Sequence, residues 1–215
     1  MTPTELITSR LRLLPVPSLP DLLLYAAHPG SRLSQLADPD DPDPAPPYWA
    51  YSWGGGLALA HHLRAHPEVV TGRRVLDLGA GSGLVAIAAA RAGAAQVFAS
   101  EIDPFGRAAI PLNATANGVT ITLRDTDLAA PPPDDIDVLL AGDVFYNADV
   151  AALMLPYLTA CAAKNITVLI GDPFRKFLPP TLIELARYAV PDMGAALSTP
   201  LVPAGVFTMA ATNRP

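Results

Sequence analysis

The chain holds a single cysteine, Cys161, among its 215 residues. No disulfide can form within it and no thiolate metal cluster can be built from it, which suits a reducing cytoplasm. Cys161 lies in a helix-like stretch and reads as a small buried apolar residue. No apolar run approaches the length of about 20 residues that a membrane span needs, and no basic region followed by an apolar one opens the chain, so neither a membrane partner nor a signal peptide is expected. Basic charge is in deficit, with a net charge of −6 and a pI near 5.0. Nucleic acid is therefore not expected as the main partner, because phosphate binding needs a basic face. Proteins and small molecules remain. No serine sits in a G-x-S-x-G elbow, and none of the 4 histidines has an obvious triad partner, which counts against a hydrolase. His62 and His66 are four apart on a helix but lack a third ligand at suitable spacing. They read as a solvated helix face, and no metal is expected. Internal repeats are absent. What the chain has in quantity is apolar side chain, 51% of residues with a mean hydropathy of +0.31, enough for one α/β core.

The most informative segment is Asp77-Leu78-Gly79-Ala80-Gly81-Ser82-Gly83. It follows the strand-like Arg73-Arg74-Val75-Leu76 and opens into the helix-like Leu84–Arg91. The next strand, Val97-Phe98-Ala99-Ser100, ends on Glu101. A glycine turn between strand and helix, with an acid at the next strand end, is the kit for a nucleoside cofactor. The glycines let backbone approach the ligand, and the acid accepts from ribose hydroxyls. The dinucleotide fingerprint is G-x-G-x-x-G, whose third glycine would fall on Leu84. Asp77, just before the first glycine, would repel a pyrophosphate. It would suit S-adenosylmethionine, which carries an ammonium and a sulfonium. The turn and Glu101 thus resemble the first motifs of class I methyltransferases.

Strands are expected near 73–78, 96–101, 119–123, 136–141 and 166–171, and helices near 56–66, 83–92, 104–117, 148–163 and 180–189. This alternation predicts a Rossmann-like α/β fold, a mostly parallel sheet with helices on both faces. Two strand-like runs, 195–201 and 205–210, are split by Pro203 and are expected to pair as an antiparallel hairpin. Residues 4–14 predict a short amphipathic helix, broken by Pro15, Pro17 and Pro20. Asp21 is expected to cap a second helix through Leu22–Tyr25. Residues 38–47 are rich in Asp and Pro and read as an irregular, solvated linker. The chain so divides into a helical extension and loop, 1–47, and a methyltransferase domain, 48–215.

The fourth expected strand delivers Asp143-Val144-Phe145-Tyr146. Ligands in an open parallel sheet lie beyond the carboxyl ends of the strands, so Asp143 and Tyr146 are expected beside the reacting atoms. The acid-x-x-aromatic tetrad resembles a motif of the seven-β-strand lysine methyltransferases. The simpler reading is a cap, by Asp143 or Asn147, on the following helix. Tyr48–Gly56 holds both tryptophans, Trp49 and Trp53, whose rings can wall a cofactor or enclose a lysine stem. Their alternative is core packing of an N-terminal layer. Asp125 follows the third strand, where it can reach an adenine amino group or cap a turn. Asp103-Pro104 reads as a helix start.

Tyr48–Gly56, Val75–Gly83, Ile102–Phe105, Gly142–Tyr146 and Gly171-Asp172-Pro173 with Arg175, in this order, resemble the electron transfer flavoprotein β-subunit lysine methyltransferases. Bacterial members of that family are often labelled nicotinamide N-methylases. The resemblance runs from about Arg12 to the end. It implies the seven-stranded methyltransferase sheet with its last two strands as a hairpin. It implies S-adenosylmethionine bound by Asp77, Gly79, Gly81 and Glu101; Trp53, Ser82, Gly83, Ile102, Asp125 and Asp143 are expected to contact it as well. It implies a lysine site of Asp143 and Tyr146, with Trp49, Phe145, Asp172 and Arg175 contacting substrate, and the β subunit of electron transfer flavoprotein as that substrate. Phe174 departs from the family by standing where a glycine is expected, which bears on the role of Arg175. The alternatives are a small-molecule N-methyltransferase acting on a nicotinamide-like amine and a non-catalytic cofactor-binding subunit; the intact motifs argue against the latter. In the lysine reading Asp143, too weak a base for an amine, captures and aims it by its carboxylate or by its backbone carbonyl, while Tyr146 and Trp53 exclude solvent.

Overall fold

Short, nearly continuous apolar runs such as Val138-Leu139-Leu140-Ala141 and Val168-Leu169-Ile170 suit parallel strands buried on both faces. The computed structural model describes residues 2–33, 46–191 and 200–209. Strands β3 (Arg74–Leu78), β4 (Gln96–Ser100), β5 (Thr122–Leu123), β6 (Val138–Gly142) and β7 (Thr167–Asp172) run parallel. β8 (Ile183–Pro191) and β9 (Leu201–Thr208) complete a seven-stranded sheet in the order β5-β4-β3-β6-β7-β9-β8. Val75, Val138, Leu140 and Leu169 point to one face, under α2 (Gly54–Ala65) and α3 (Leu84–Arg91). Leu76, Leu139, Val168 and Ile170 point to the other, against Tyr157, Leu158 and Cys161 of α5 (Ala148–Ala163). Cys161 is fully buried there, as its sequence context suggests, and burial pushes its thiol up to about 11.

The chain runs outward from β3 through β4 to β5, then returns to β6 on the other side of β3. This reversal opens a crevice at the carboxyl ends of β3 and β6, where ligands sit in such sheets. Helix α4 (Pro104–Ala116) starts as expected, with Asp103 accepting from the N–H groups of Phe105 and Gly106 and Pro104 in the first turn.

Several expectations need correction. The N-terminal helix α1 spans only Pro3–Arg10, and no second helix follows. Residues Arg12–Val16 (β1) and Leu19–Ala26 (β2) form a hairpin instead. Asp21 lies in β2 and pairs with Arg64 of α2 rather than capping a helix. Pro15, Pro17 and Pro20 withhold helical donors, and Ser18 turns the hairpin at φ 65°. Leu22 and Leu24, two apart, bury one face of β2. The segment 1–47 is therefore only partly helical, and α1 and β2 pack against α4.

The helix expected at 180–189 is strand β8, and the antiparallel hairpin is formed by β8 and β9. Leu, Ala and Arg make this segment helix-tolerant by propensity; the ladder to β9 decides against it. Pro203 sits within β9 opposite Ala189, outside the Gly205–Thr208 stretch that pairs with β7. Its missing N–H thus falls where only one neighbour is present. Residues 195–199 and 210, part of the expected hairpin, and 38–45 of the expected linker lie outside the described residues. The third strand is only two residues long. His62 is buried, not solvated, with Nδ1 3.1 Å from the Tyr188 hydroxyl of β8. Among the described residues, no group of three or more His, Cys, Asp or Glu is arranged to hold a metal.

Candidate active site

Three neighbouring strands each deliver a carboxylate at or just beyond their carboxyl ends: Asp77 from β3, Asp143 after β6 and Asp172 from β7. A shallow, open cleft runs from the glycine turn to Asp143, walled by Tyr51, Trp53 and Gly56.

The turn is shaped by Gly79, Gly81 and Gly83, at φ 70°, 54° and 83°. Side-chain-bearing residues seldom adopt this left-handed region. Asp77 is almost fully buried beneath the turn and accepts from the Ala86 N–H of α3 at 2.9 Å. Burial foremost, with Glu101 nearby, pushes its carboxyl up to about 7. Glu101 folds back on the turn. Its Oε2 accepts from Gly81 N–H at 2.6 Å, and its Oε1 accepts from Ile102 and Asp103 N–H at 2.7 and 2.9 Å. A carboxylate has further lone pairs, so Glu101 keeps acceptor capacity beyond these three bonds. Ile102 beside it is 96% exposed, an apolar side chain with no protein cover. Gly106 of α4 leaves room for Glu101, since a Cβ there would lie 2.8 Å from Glu101 Cγ. Asp125 is exposed and held at 2.7 Å by Arg107, whose guanidinium also donates to the Glu101 carbonyl.

At the other end, Asp143 takes a left-handed backbone, φ 58°. This turns its carboxylate onto the start of α2. Oδ2 accepts from Gly56 N–H at 2.9 Å and Oδ1 from Arg175 Nη2 at 2.8 Å. Burial pushes Asp143 up, against the pull of Arg175. The capping alternatives resolve accordingly: Asn147, not Asp143, caps α5 by accepting from Val150 N–H at 2.8 Å. Asp172 is fully buried, accepts from the Arg175 N–H at 2.6 Å, and is pushed up to about 6, chiefly by burial.

The aromatic residues divide. Trp53 lines the cleft, donates Nε1–H to the Tyr48 carbonyl at 2.7 Å, and carries the Arg175 guanidinium 5.5 Å from its ring. Tyr48 meets both Trp53 and Tyr146, with ring centroids 5.6 and 5.4 Å apart, and both tyrosines are 43% exposed. Trp49 and Phe145, expected to touch substrate, face the core instead. Trp49 is buried and stacks on Phe105 of α4 in the N-terminal layer. Phe145 is fully buried among Leu139, Leu158 and their neighbours. The turn after β6 buries Val144 and Phe145 together in the core, and Tyr146 emerges beyond them.

Phe174, the departure from the family pattern, has φ 63°. A glycine would take this conformation freely, whereas a larger residue is penalised by about 1–2 kcal/mol. Its ring packs edge-on to Phe207 at 5.5 Å and lies under Arg187 at 4.3 Å, contacts that offset the strain. Arg175 reaches Asp143 despite the substitution.

Sequence reasoning missed Tyr48, Tyr51 and the glycine contacts that seat α2. Gly55 and Gly171 meet backbone to backbone, as do Gly56 and Gly142. Three consecutive glycines opening a helix, Gly54-Gly55-Gly56, were the available signal, because glycine there lowers helix propensity unless something must come close.

The family model for ribosomal protein L11 methyltransferase matches residues 61–154. The electron transfer flavoprotein β-subunit lysine methyltransferase of Rattus norvegicus is 38% identical over 153 residues, 68% of this chain and 60% of that protein. Its counterpart from Danio rerio is 40% identical over 153 residues, 68% of this chain and 59% of that protein. The chain thus matches about three fifths of the length of these relatives. Among solved structures, a proposed RNA methyltransferase of Pyrococcus horikoshii superposes with a TM-score of 0.58 at 15% identity, covering 80% of this chain and 91% of that one. By its strand order, its glycine turn with an acid at the next strand end, and these similarities, the chain has the class I methyltransferase fold and is similar to the electron transfer flavoprotein β-subunit lysine methyltransferases.

Proposed function

We propose that the protein is an S-adenosylmethionine-dependent protein-lysine N-methyltransferase acting on the β subunit of electron transfer flavoprotein. The observation that carries this reading is the single cleft joining the Asp77–Gly83 turn to Asp143. One end offers backbone N–H groups and carboxylates to a cationic nucleoside; the other offers a carboxylate and exposed aromatic rings to an amine. The relatives named as lysine methyltransferases of that β subunit support the choice of substrate.

The residues present fit the cofactor. Glu101 would accept from the ribose hydroxyls, Ile102 would cover the adenine, and Asp77 would face the ammonium of the amino-acid tail. When bound, S-adenosylmethionine supplies an electrophilic methyl on a leaving group that needs no activation. The protein therefore has to orient an amine and exclude water. Asp143 has an unused lone pair to align an amine N–H. Tyr48, Trp53 and Tyr146 would wall the lysine stem, and cation–π attraction would hold the methylated product. A cytoplasmic setting accords with the free buried cysteine.

A direct test is incubation with labelled S-adenosylmethionine and a bacterial lysate. A labelled band at the mass of the β subunit, with label on lysine, is expected. Label confined to small molecules would overturn the protein-substrate reading in favour of a nicotinamide-like acceptor.

Asp77 adds a pH signature. Its carboxyl, pushed up to about 7 in the free protein, must ionise to face an ammonium. Because the free form holds a proton that the complex releases, affinity should rise with pH from about 4 to 7 and level off above. Calorimetry with S-adenosylhomocysteine at several pH values checks this. Asp77→Asn should flatten the dependence over that window; an equally steep slope in the variant would assign the proton elsewhere.

A further inference from the structure

A transferable amine has to reach the methyl group without its proton, and a bare carboxylate beside it favours the ammonium form instead. Asp143 is not bare. Its side chain is 10% exposed and is ion-paired at 2.8 Å with Arg175, itself 28% exposed. Arg175 is pinned from two further directions. Its backbone N–H is donated to Asp172 Oδ1, and its guanidinium lies over Trp53. Arg175 Nε and Asp172 Oδ2 are both buried and without partners. Arg175 thus spends its side-chain hydrogen bonding on Asp143 and not on the equally buried Asp172. The other groups facing Asp143 are the Gly55 and Gly56 N–H groups from α2 and the Asp172 carboxyl from β7, with Tyr146 on the same turn and the Tyr48 ring tilted against it. Arg175 is therefore the cation that answers Asp143 among the described residues.

We infer that Arg175 is a charge-compensating positioning residue of the methyl-transfer site: by holding the Asp143 carboxylate in an ion pair, it removes the pull towards the ammonium and lets the pocket take the uncharged acceptor amine. The inference rests on the lysine-methyltransferase reading. In the step it serves, the amine has already lost its proton to water. Its lone pair forms the N–C bond to the methyl, the C–S bond breaks, and that electron pair stays on sulfur as a neutral thioether. Positive charge passes from sulfur to nitrogen. Arg175 touches neither reacting atom; it acts through Asp143.

The test compares wild type, Arg175→Gln and Arg175→Lys on the β subunit of electron transfer flavoprotein over the range of about pH 6–10. In Arg175→Gln the acidic limb of kcat should move up by about 1–2 pH units. At neutral pH kcat should fall about tenfold or more while KM stays level or drops, because the unpaired carboxylate binds the ammonium well but unproductively. The rate should return towards wild type at high pH, and Arg175→Lys should restore the limb. A parallel loss at every pH, or coincident limbs, would overturn the inference and leave Arg175 a structural residue. A second readout needs no substrate. The 13C carboxyl signal of Asp143, assigned with Asp143→Asn, should titrate at higher pH in Arg175→Gln than in wild type, and equal midpoints would overturn the inference outright. Absence of transfer by the wild-type enzyme to any protein amine would overturn the functional reading, and the inference with it, whatever the carboxyl signal shows.

Discussion

Replacing Glu101 with alanine should weaken S-adenosylhomocysteine binding by at least a hundredfold in calorimetry. Glu101 has two tasks at once. It closes the turn through the N–H groups of Gly81, Ile102 and Asp103, and it is the acid we propose for the ribose. Hydrogen bonds to a charged group contribute about 1.5–3 kcal/mol each. Losing two to the ribose hydroxyls costs about 3–6 kcal/mol, which corresponds to roughly 10²–10⁴-fold in affinity. The turn loosens as well, so the loss should lie towards the upper end. Glu101→Gln separates the tasks. One side-chain oxygen remains, but the amide NH2 faces backbone donors, so affinity should fall between wild type and alanine. A circular dichroism spectrum shows whether each variant is folded. Alanine binding within about twofold of wild type, from a folded protein, would refute the ribose assignment.

Gly171→Ala and Gly55→Ala should each lower stability by about 3 kcal/mol, at the upper end of the cost of overpacking. The cause is a contact that no side chain can relieve. A Cβ on Gly171 would penetrate the Gly55 carbonyl and lie 2.8 Å from Leu59 Cγ. A Cβ on Gly55 would penetrate the Gly171 carbonyl and lie 2.7 Å from Asp143 Oδ2. Helix α2 would have to lift from β7, unseating Leu57, Leu59 and Leu63, all fully buried. At a chain length near 200 residues, 1 kcal/mol corresponds to a shift in Tm of about 2–4 °C, so a drop of about 6–12 °C is expected. Methyl transfer should fall too, because Asp143 would lose the Gly56 N–H. The neighbouring Gly56→Ala provides the contrast. Its Cβ would meet Val85 and Leu84 at ordinary distances of 3.7 and 3.8 Å. Alanine also favours helix over glycine by about 1 kcal/mol. Thermal denaturation should therefore leave that variant near wild type, and equal losses at positions 55 and 56 would show that backbone contact is not the cause.

The parts legible in the sequence were those set by short-range spacing. The Asp77–Gly83 turn is local: three glycines alternate where the backbone needs positive φ, and Glu101 follows one strand later. The Asp103-Pro104 start of α4 is local for the same reason. The central strands announced themselves as short, nearly continuous apolar runs, because both of their faces are buried. β8 did not, because as the outermost strand of the sheet it leaves Ile183, Leu185 and Arg187 exposed and so lacks a buried period. Its composition tolerates a helix, and the partner that makes it a strand lies beyond Pro191 in the chain. The β1–β2 hairpin was obscured in the same way by leucines that suit either state. At the site, Trp49 and Phe145 were misplaced because an aromatic residue beside a motif carries no mark of which way its ring points.

By sequence alone this chain was committed to a parallel sheet with a cation-tolerant nucleoside turn, since residue spacing along one segment sets backbone dihedrals and the order of strand ends. Tertiary structure alone decided that Asp143 is paired, that Arg175 pairs it across 32 residues of chain, and that α2 rests on bare backbone. Burial, charge pairing and steric contact are properties of groups that the strand order brings together, and separation along the chain holds no record of them.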